Sequence, residues 1–406
     1  MQILVVTGCN LRFNFSAGLS HSAYIKGLSN LGYDVDLLCF SDKGIEIDKG
    51  LELPPIRNQY TYDGLSLYER LSGIKSTNDT GGKAQPSSKT DITPRKKDVI
   101  KSKIKKMIRS SYGVYRMTIV WYKRAKHFKT NTLYDYVISM SDPPVSHKLA
   151  GYLLKSHRIN AHKWIQLWED PWCDSYYDET EINIPCMKEE KKVLSDCKDI
   201  VYVSPMTLKR QQEIFPEAAS KMRWCPLASY YQASILDYSG YKENYYGYFG
   251  DYVPHIRNLE PFYKVMRKKN LQVDICGSPS DLFESIGNVR IHPRLPLDQL
   301  KFYEDRSNIT VCLFNNGGGQ IPGKIYQLAS TNKIILAILD GSEEEQNVIL
   351  DYFGKFNRFV FCKNTFESIL ETVERIEHHD LNNVINSPID AFNIETVSER
   401  LLGNID

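Results

Sequence analysis

Long apolar runs are absent from this 406-residue sequence. No stretch reaches the roughly 20 consecutive apolar residues that a membrane-spanning helix requires. The first apolar run, residues 3–6, is too short for a secretory signal peptide and has no basic residues before it. We therefore expect a cytoplasmic protein without a membrane-spanning segment.

The sequence also lacks the signatures of disulfide frameworks and metal sites. Its nine cysteines are scattered singly, with no Cys-x-x-Cys and no Cys/His cluster at zinc spacing. Asp34-Val35-Asp36 fits a metal-binding Asp-x-Asp pattern, but it leads into an apolar strand, and we interpret it as the start of that strand. The histidines without acidic or cysteine partners at ligand spacing are His157, His162, His378 and His379. We expect reduced thiols in the core, and neither a metal ion nor a resident cofactor.

Charge is nearly balanced, with a formal net charge of +2, so a polyanion-binding surface would have to be local. Residues 72–94 are rich in small polar residues and predict a mobile loop. Residues 95–109 predict a basic amphipathic helix, because apolar residues recur in them at helical spacing. The basic residues expected to contact a membrane are Lys101, Lys103, Lys105, Lys106 and Arg109.

Such a helix can lie on an anionic lipid surface, where each basic residue contributes roughly 1 kcal/mol. This interpretation predicts a protein that is peripheral on the inner face of the cell membrane. The alternative is a solvated helix whose apolar stripe packs on its own domain. No nucleic-acid motif accompanies the charge, and we expect no nucleic-acid partner.

Short apolar runs alternate with longer amphipathic stretches, which indicates βαβ units and parallel sheets. The predicted strands of the first half are residues 3–6, 35–40, 136–140, 164–168 and 200–203. Those of the second half are residues 246–250, 273–276, 289–291, 309–314, 334–338 and 359–362. The predicted helices are residues 17–31, 145–154, 187–194, 259–268, 323–330 and 366–376.

The alternation restarts after an aperiodic stretch rich in Tyr and Ser, residues 228–246. We therefore predict an amino-terminal domain over residues 1–228 and a second domain over residues 229–386. The fold class expected is α/β, with two doubly wound, Rossmann-like parallel sheets facing a central cleft. In such sheets ligands bind beyond the carboxyl ends of the strands.

The strongest local signal is a glycine-rich segment, residues 315–327, between a predicted strand and a predicted helix. Glycines such as Gly318 and Gly319 let the backbone approach a ligand and direct amide groups at it. Pro322-Gly323-Lys324 then opens the helix, whose free amides attract an anion, and the lysine adds a positive charge. The segment predicts a diphosphate site, although it fits neither the Walker A pattern nor the dinucleotide fingerprint. A purely structural turn is the alternative.

A second cation is expected opposite Lys324, because one lysine does not balance a diphosphate. Arg257, just after Phe249-Gly250-Asp251 and near the start of a predicted helix, is the candidate. The alternative is that Arg257 pairs with Glu260 on the same helix.

Several further segments follow one another along the chain in a characteristic order. They are residues 3–8 followed by Ala17-Gly18, residues 134–139 followed by Asp142-Pro143-Pro144, Trp168-Glu169-Asp170-Pro171-Trp172, Tyr248-Phe249-Gly250, residues 289–296, Pro322-Gly323-Lys324 and residues 392–397. Together they resemble the retaining GT-B glycosyltransferases (glycosyltransferase family 4-like), in the branch that builds bacterial surface polysaccharides. The order and spacing carry the resemblance, and no single motif does.

The resemblance implies a nucleotide-diphosphate-sugar donor in the second domain and a lipid-linked or oligosaccharide acceptor in the first. Asp170 would position the acceptor or relay a proton, with a loop-capping role as the alternative, and Glu169 and Trp172 would contact the acceptor. The implied donor-binding residues are Gly18, Gly250, Arg257, His292, Arg294, Gly318, Gly319, Gly323, Lys324 and Gln327. Of these, His292 and Arg294 would lie near the base, and Gly18 would face the phosphates from the opposite domain. Residues 387–406 would form a helix that crosses back to the first domain.

One departure motivates two alternatives. The family commonly carries a Glu-x7-Glu pair where this sequence has Gly319 and Gln327. Gln327 can still hydrogen-bond a ribose hydroxyl, but an acceptor for sugar hydroxyls is lost. The alternatives are a catalytically silent GT-B subunit that binds partners in an assembly complex, and a sugar-nucleotide epimerase or hydrolase.

Overall fold

The computed structural model describes residues 1–43, 47–65, 113–116, 118–174, 183–231, 233–381 and 383–405. The predicted mobile loop (72–94) and the predicted basic helix (95–109) lie outside these residues. The membrane role assigned to Lys101, Lys103, Lys105, Lys106 and Arg109 therefore stays a prediction.

The first sheet has seven parallel strands in the order β3-β2-β1-β4-β5-β6-β7. The strands are β1 (Gln2–Thr7), β2 (Asp34–Phe40), β3 (Asn58–Tyr62), β4 (Leu133–Met140), β5 (Asn160–Trp168), β6 (Asp199–Tyr202) and β7 (Met222–Trp224). The α-helices described between them are α1 (Ser16–Asn30), α2 (Thr118–Ala125), α3 (Val145–Lys155), α4 (Ile184–Ser195) and α5 (Pro205–Ile214).

The second sheet has six parallel strands in the order β10-β9-β8-β11-β12-β13. The strands are β8 (Tyr245–Phe249), β9 (Gln272–Cys276), β10 (Val289–His292), β11 (Ile309–Leu313), β12 (Ile334–Leu339) and β13 (Phe359–Lys363). Its helices are α6 (Glu260–Lys269), α7 (Leu297–Arg306), α8 (Lys324–Leu328), α9 (Glu343–Phe353) and α10 (Phe366–Glu377), and α11 (Ile394–Leu402) follows them.

The two sheets confirm the predicted α/β class and the parallel strands. The prediction succeeded because strands that are buried on both faces have continuous apolar runs in their sequence. Two strands escaped prediction: β3 is polar (Asn58–Tyr62) and β7 is only three residues long. The helix predicted over residues 323–330 is wrong in length, since α8 has five residues. Asp36 of the Asp-x-Asp pattern is a buried residue of β2 that accepts hydrogen bonds from Arg57 and Tyr134.

All nine cysteines are buried and unpaired, which confirms the core role predicted for the thiols. No helix in the described part of the chain combines the length and the apolar character needed to cross a membrane.

The last helix, α11, packs against α1 of the first sheet's helical layer. Val397 and Leu401 belong to the same buried apolar cluster as Val5 of β1. Arg223 ties the carboxyl end of α11 to the first sheet, donating from Nη1 to the Arg400 carbonyl at 2.8 Å. Gly27 of α1 provides the close contact, because a Cβ there would overlap the Ile394 carbonyl and the Ser398 hydroxyl.

We expect Gly27→Ala to lower the free energy of unfolding by about 2 kcal/mol, because the added methyl overpacks the contact between α1 and α11. Alanine favours helix more than glycine does, so propensity alone would give the opposite sign. Gly240→Ala is the control, since no atom lies within 4 Å of a Cβ at that position. Urea unfolding of both variants measures the effect, and equal stability of the two would contradict the packing account.

Candidate active site

The glycine-rich segment forms a loop at the carboxyl end of β11. Gly317, Gly318 and Gly319 have φ values of +115°, +84° and +66°. Residues other than glycine rarely adopt a positive φ. The Gly319 N–H donates to Glu345 Oε1 at 3.0 Å. The amides of Gly317 and Gly318 donate to no group among the described residues. Those two amides are therefore available to a ligand.

The carbonyl of Gly319 joins this loop to the first domain. It accepts hydrogen bonds from Ser204 Oγ at 2.7 Å and from Thr207 Oγ1 at 3.2 Å, both at the start of α5. With its amide held by Glu345, the Gly319 peptide is fully bonded within the protein. Gly319 thus positions the loop, and the ligand-binding amides are those of its two neighbours.

Two cations lie near the carboxyl end of β11. Lys324 is the first residue of α8, and its Nζ is 3.1 Å from Glu304 Oε1. Arg257 donates from Nε to Asn315 Oδ1 at 2.8 Å. Burial raises the pKa of the Cys312 thiol to about 12, and the charges of both Arg257 and Lys324 oppose that increase. The positive charges of Arg257 and Lys324 therefore both act on Cys312, near the carboxyl end of β11.

Arg257 has no carboxylate within salt-bridge distance in the described part of the chain. The alternative pairing with Glu260 is wrong, because Glu260 Oε1 binds Lys264 Nζ at 2.8 Å. The positive charge of Arg257 thus remains available to a ligand.

The helix end that faces the glycine-rich loop belongs to α1. This helix has 15 residues, and its N-cap residue, Phe15, provides no side-chain hydrogen bond. A Cβ at Gly323 would lie 3.8 Å from Ser16 Oγ, so the start of α1 lies against the start of α8. Gly18 is in the first turn of α1, where amides have no intrahelical acceptor. The α8 helix, at five residues, contributes little dipole of its own.

Carboxylates line the first domain's side of the cleft, where β4 and β5 end. Gln320 Nε2 reaches across from the glycine-rich loop and donates to Asp170 Oδ1 at 2.7 Å. Desolvation, reinforced by the charges of Asp142 and Glu169, raises the pKa of Asp170 to about 7, and Arg257 opposes the increase. Burial and Glu169 likewise raise the pKa of Asp142 to about 6. Two carboxyl groups of the cleft therefore titrate near neutral pH.

Glu169, one of these carboxylates, forms a buried ion pair with His21. His21 is fully buried, with Nε2 3.3 Å from Glu169 Oε1 and 3.1 Å from the Ser141 carbonyl oxygen. Burial lowers the pKa of His21, but Glu169 and Cys9 more than offset this and raise it well above the ordinary value. The Ser20 hydroxyl also donates to Glu169 Oε1. One oxygen of Glu169 is thus fixed inside the domain.

Four other predicted site residues have internal partners. Trp172 packs against the Tyr115 ring, with centroids 4.7 Å apart, and His292 Nε2 lies 2.7 Å from Oδ1 of the buried Asp274. The other two are Arg294, which bridges Asp251 Oδ2 and the Asn14 carbonyl, and Gly250, whose carbonyl contacts Gly277. Gln327 is half-buried in α8 and makes no side-chain hydrogen bond within the described residues.

The structure therefore brings part of the predicted set together. The charge of Arg257 acts on Asp170, and Gln320 of the glycine-rich loop binds it. Lys324 pairs with Glu304, and Trp172 and His292 have partners within their own domains. Sequence reasoning missed His21, Ser20, Gln320 and Glu345. Only Glu345 had a local signal, the capping box Ser342-x-x-Glu345 of α9, and its contact with Gly319 is long-range. In the part of the chain that the structure covers, no group of three or more His, Cys, Asp or Glu side chains could hold a metal ion.

Comparison with known proteins gives structural matches only. No protein-family model matches the sequence, and no curated protein matches it. Sucrose-phosphate synthase from Thermosynechococcus elongatus matches with a TM-score of 0.55 at 13% identity, covering 99% of this chain and 94% of that one. The apo lipopolysaccharide outer core galactosyltransferase WaaB matches at 0.51 and 11% identity, covering 100% of both.

A third match is UDP-GlcNAc 2-epimerase from Methanocaldococcus jannaschii, with a TM-score of 0.50 at 10% identity, covering 100% of this chain and 99% of that one. These matches extend over both sheets. The chain has the GT-B fold. The predicted fold class is thereby confirmed, and at these identities the likeness is one of fold.

We expect Asp170→Asn to stabilise the protein above pH 7 and to leave it unchanged near pH 4. The pKa of an aspartate in the unfolded chain is about 4. Because the folded pKa is about 7, Asp170 ionises less readily in the folded protein than in the unfolded chain. The free energy of unfolding therefore falls progressively as pH rises between these values. The gain at about pH 8 should be only about 1 kcal/mol, because the Asp170 residue is exposed to solvent, which screens its interactions.

Urea unfolding at about pH 5 and about pH 8 measures this change. Asp281→Asn, at another exposed position, is the matched control for the loss of one carboxylate. If the stability difference between Asp170→Asn and the unchanged protein is the same at both pH values, the pKa assigned to Asp170 is wrong.

Proposed function

We propose that the protein is a glycosyltransferase. It transfers a sugar from a nucleotide-diphosphate-sugar to a hydroxyl of a lipid-linked or oligosaccharide acceptor, in the synthesis of a bacterial surface polysaccharide. The observation that carries the proposal is the meeting of two cations and two free glycine amides at the end of β11 with the acidic cluster of the first domain. Diphosphate recognition and hydroxyl recognition are thus on opposite walls of one cleft.

In this proposal the diphosphate is held by Lys324, Arg257 and the amides of Gly317 and Gly318, with the start of α1 opposite. These groups are fixed before the reaction, so they stabilise the charge that develops as the bond between the anomeric carbon and the diphosphate oxygen breaks. The acceptor oxygen forms the new bond to the same carbon. Asp170 positions that hydroxyl, takes up its proton as the new bond forms and passes the proton to solvent, and no covalent bond to the enzyme is required.

Two alternatives rest on specific observations. The same fold occurs in a UDP-GlcNAc 2-epimerase, which favours an epimerase or hydrolase as the second candidate. A silent subunit is the third, because Gly319 and Gln327 stand where related enzymes commonly have two acids. Sugar transfer to an acceptor is consistent with the other two structural matches, which are a sucrose-phosphate synthase and a galactosyltransferase.

We expect Lys324→Ala and Arg257→Ala each to lower kcat/KM by about 100-fold, because each removes a cation from the developing charge. Release of nucleoside diphosphate from a panel of donors and acceptors measures the rate. Lys242→Ala, an exposed lysine before β8, is the control and should retain full activity. Asp170→Asn should lower kcat more than it changes KM for the donor.

The same assay separates the alternatives. Donor turnover that is independent of the acceptor would identify a hydrolase or epimerase and contradict the transferase proposal. Absence of turnover with every donor and acceptor, in a folded protein that still binds a nucleotide diphosphate, would favour the silent subunit.

We also propose that the protein binds the inner face of the cell membrane through residues 95–109, on the charge pattern alone. Changing Lys101, Lys103, Lys105 and Lys106 to Gln should abolish sedimentation with anionic vesicles at low salt, because each lysine contributes about 1 kcal/mol. The control variant changes four exposed lysines elsewhere: Lys188, Lys191, Lys192 and Lys198. Sedimentation that is absent in the unchanged protein, or equally reduced in the control, would contradict the membrane role.

A further inference from the structure

The lysine assigned to the diphosphate is bound to a carboxylate of its own domain. Lys324 Nζ lies 3.1 Å from Glu304 Oε1, and the two side chains are only 24% and 14% exposed. Burial lowers the pKa of Lys324, but Glu304 more than offsets this and raises it. The Tyr231 hydroxyl also donates to Glu304 Oε1, at 3.5 Å. The cation of the site is therefore part of a largely buried ion pair.

Glu304 is held in place by its backbone as well as by its side chain. Its carbonyl accepts a hydrogen bond from Nζ of the buried Lys333. Two residues later, Arg306 binds the fully buried Asp274 and anchors the end of α7 to β9. The carboxylate can rotate about its side-chain bonds, but the helix that carries it is fixed beside Lys324.

An anion that binds Lys324 must therefore approach the Glu304 carboxylate, which pairs with that lysine. Repulsion between the anion and this carboxylate is substantial where water is partly excluded, and it increases with the charge of the ligand. The diphosphate of an intact nucleotide-sugar is dianionic, because one terminal oxygen is esterified by the sugar. The nucleoside diphosphate that leaves is trianionic when fully ionised. A carboxylate in this position acts more strongly against the product than against the donor.

We infer that Glu304 is a specificity-determining residue that weakens the binding of highly charged anions at Lys324 and favours release of the diphosphate product. The inference rests on the proposed function, since it takes Lys324 as a phosphate ligand. It assigns Glu304 no contact with the reacting atoms. Its effect is on the affinity for anions, which can be measured without turnover.

The test is calorimetric binding of inorganic pyrophosphate and of inorganic phosphate to the full chain. Glu304→Gln keeps the shape and an acceptor oxygen for Lys324 and Tyr231, and it should bind pyrophosphate about tenfold more tightly than the unchanged protein. For the less charged phosphate the gain should be about threefold. Asp305→Asn removes the same charge from the next residue of α7, where Asp305 pairs with the exposed Lys301, and should change both affinities less than twofold.

Lys324→Ala separates failure of the inference from failure of the proposed site. If it weakens pyrophosphate binding while Glu304→Gln leaves the affinity unchanged, the inference is overturned and the diphosphate site stands. If Lys324→Ala binds pyrophosphate as the unchanged protein does, both are overturned. An equal gain in Asp305→Asn would show a general charge effect and also overturn the inference.

Thermal melting without added anion verifies that each variant is folded. Glu304→Asp is a second variant that keeps the charge but withdraws it from Lys324 by one methylene. Should Glu304→Gln not fold, a gain in pyrophosphate affinity in Glu304→Asp supports the inference, and no gain or a loss overturns it.

Discussion

The arrangement of the site depends on one constraint, the parallel direction of every strand in both sheets. Parallel strands place all their carboxyl ends on one edge of their sheet, so the residues that follow β4 and β5 meet at the edge of the first sheet and those that follow β8 and β11 meet at the edge of the second. Helices cover both faces of each sheet and bury the strands, which leaves these edges as the place for polar chemistry. Asp142, Glu169, Asp170, Arg257 and Lys324 all lie at or near such ends.

The peptide of Gly319 connects the two edges. Its amide is bonded to Glu345 of the second domain, and its carbonyl is bonded to Ser204 and Thr207 of the first. The loop that offers free amides to a ligand is thus held on both sides. Its position depends on how the two domains meet, and a ligand on Gly318 contacts a segment that is already shared between them.

Local sequence patterns were sufficient for most of the fold and for part of the site. Apolar runs located the buried strands, and glycines in sequence predicted the loop with positive φ after β11. The polar strand β3 could not be recognised, because it pairs with β2 without an apolar pattern of its own. His21, Glu304 and Glu345 were not predictable as partners of Glu169, Lys324 and Gly319, since each contact joins residues at least 20 positions apart and depends on tertiary packing.

The packing of α11 on α1 has a consequence for how the chain acquires its structure during synthesis. Ile394, Val397, Leu401 and Leu402 complete an apolar cluster that also contains Ile3, Val5 and Leu28. A nascent chain that has released the whole first sheet from the ribosome still exposes this apolar surface. The amino-terminal lobe therefore becomes complete only when residues 394–402 have emerged.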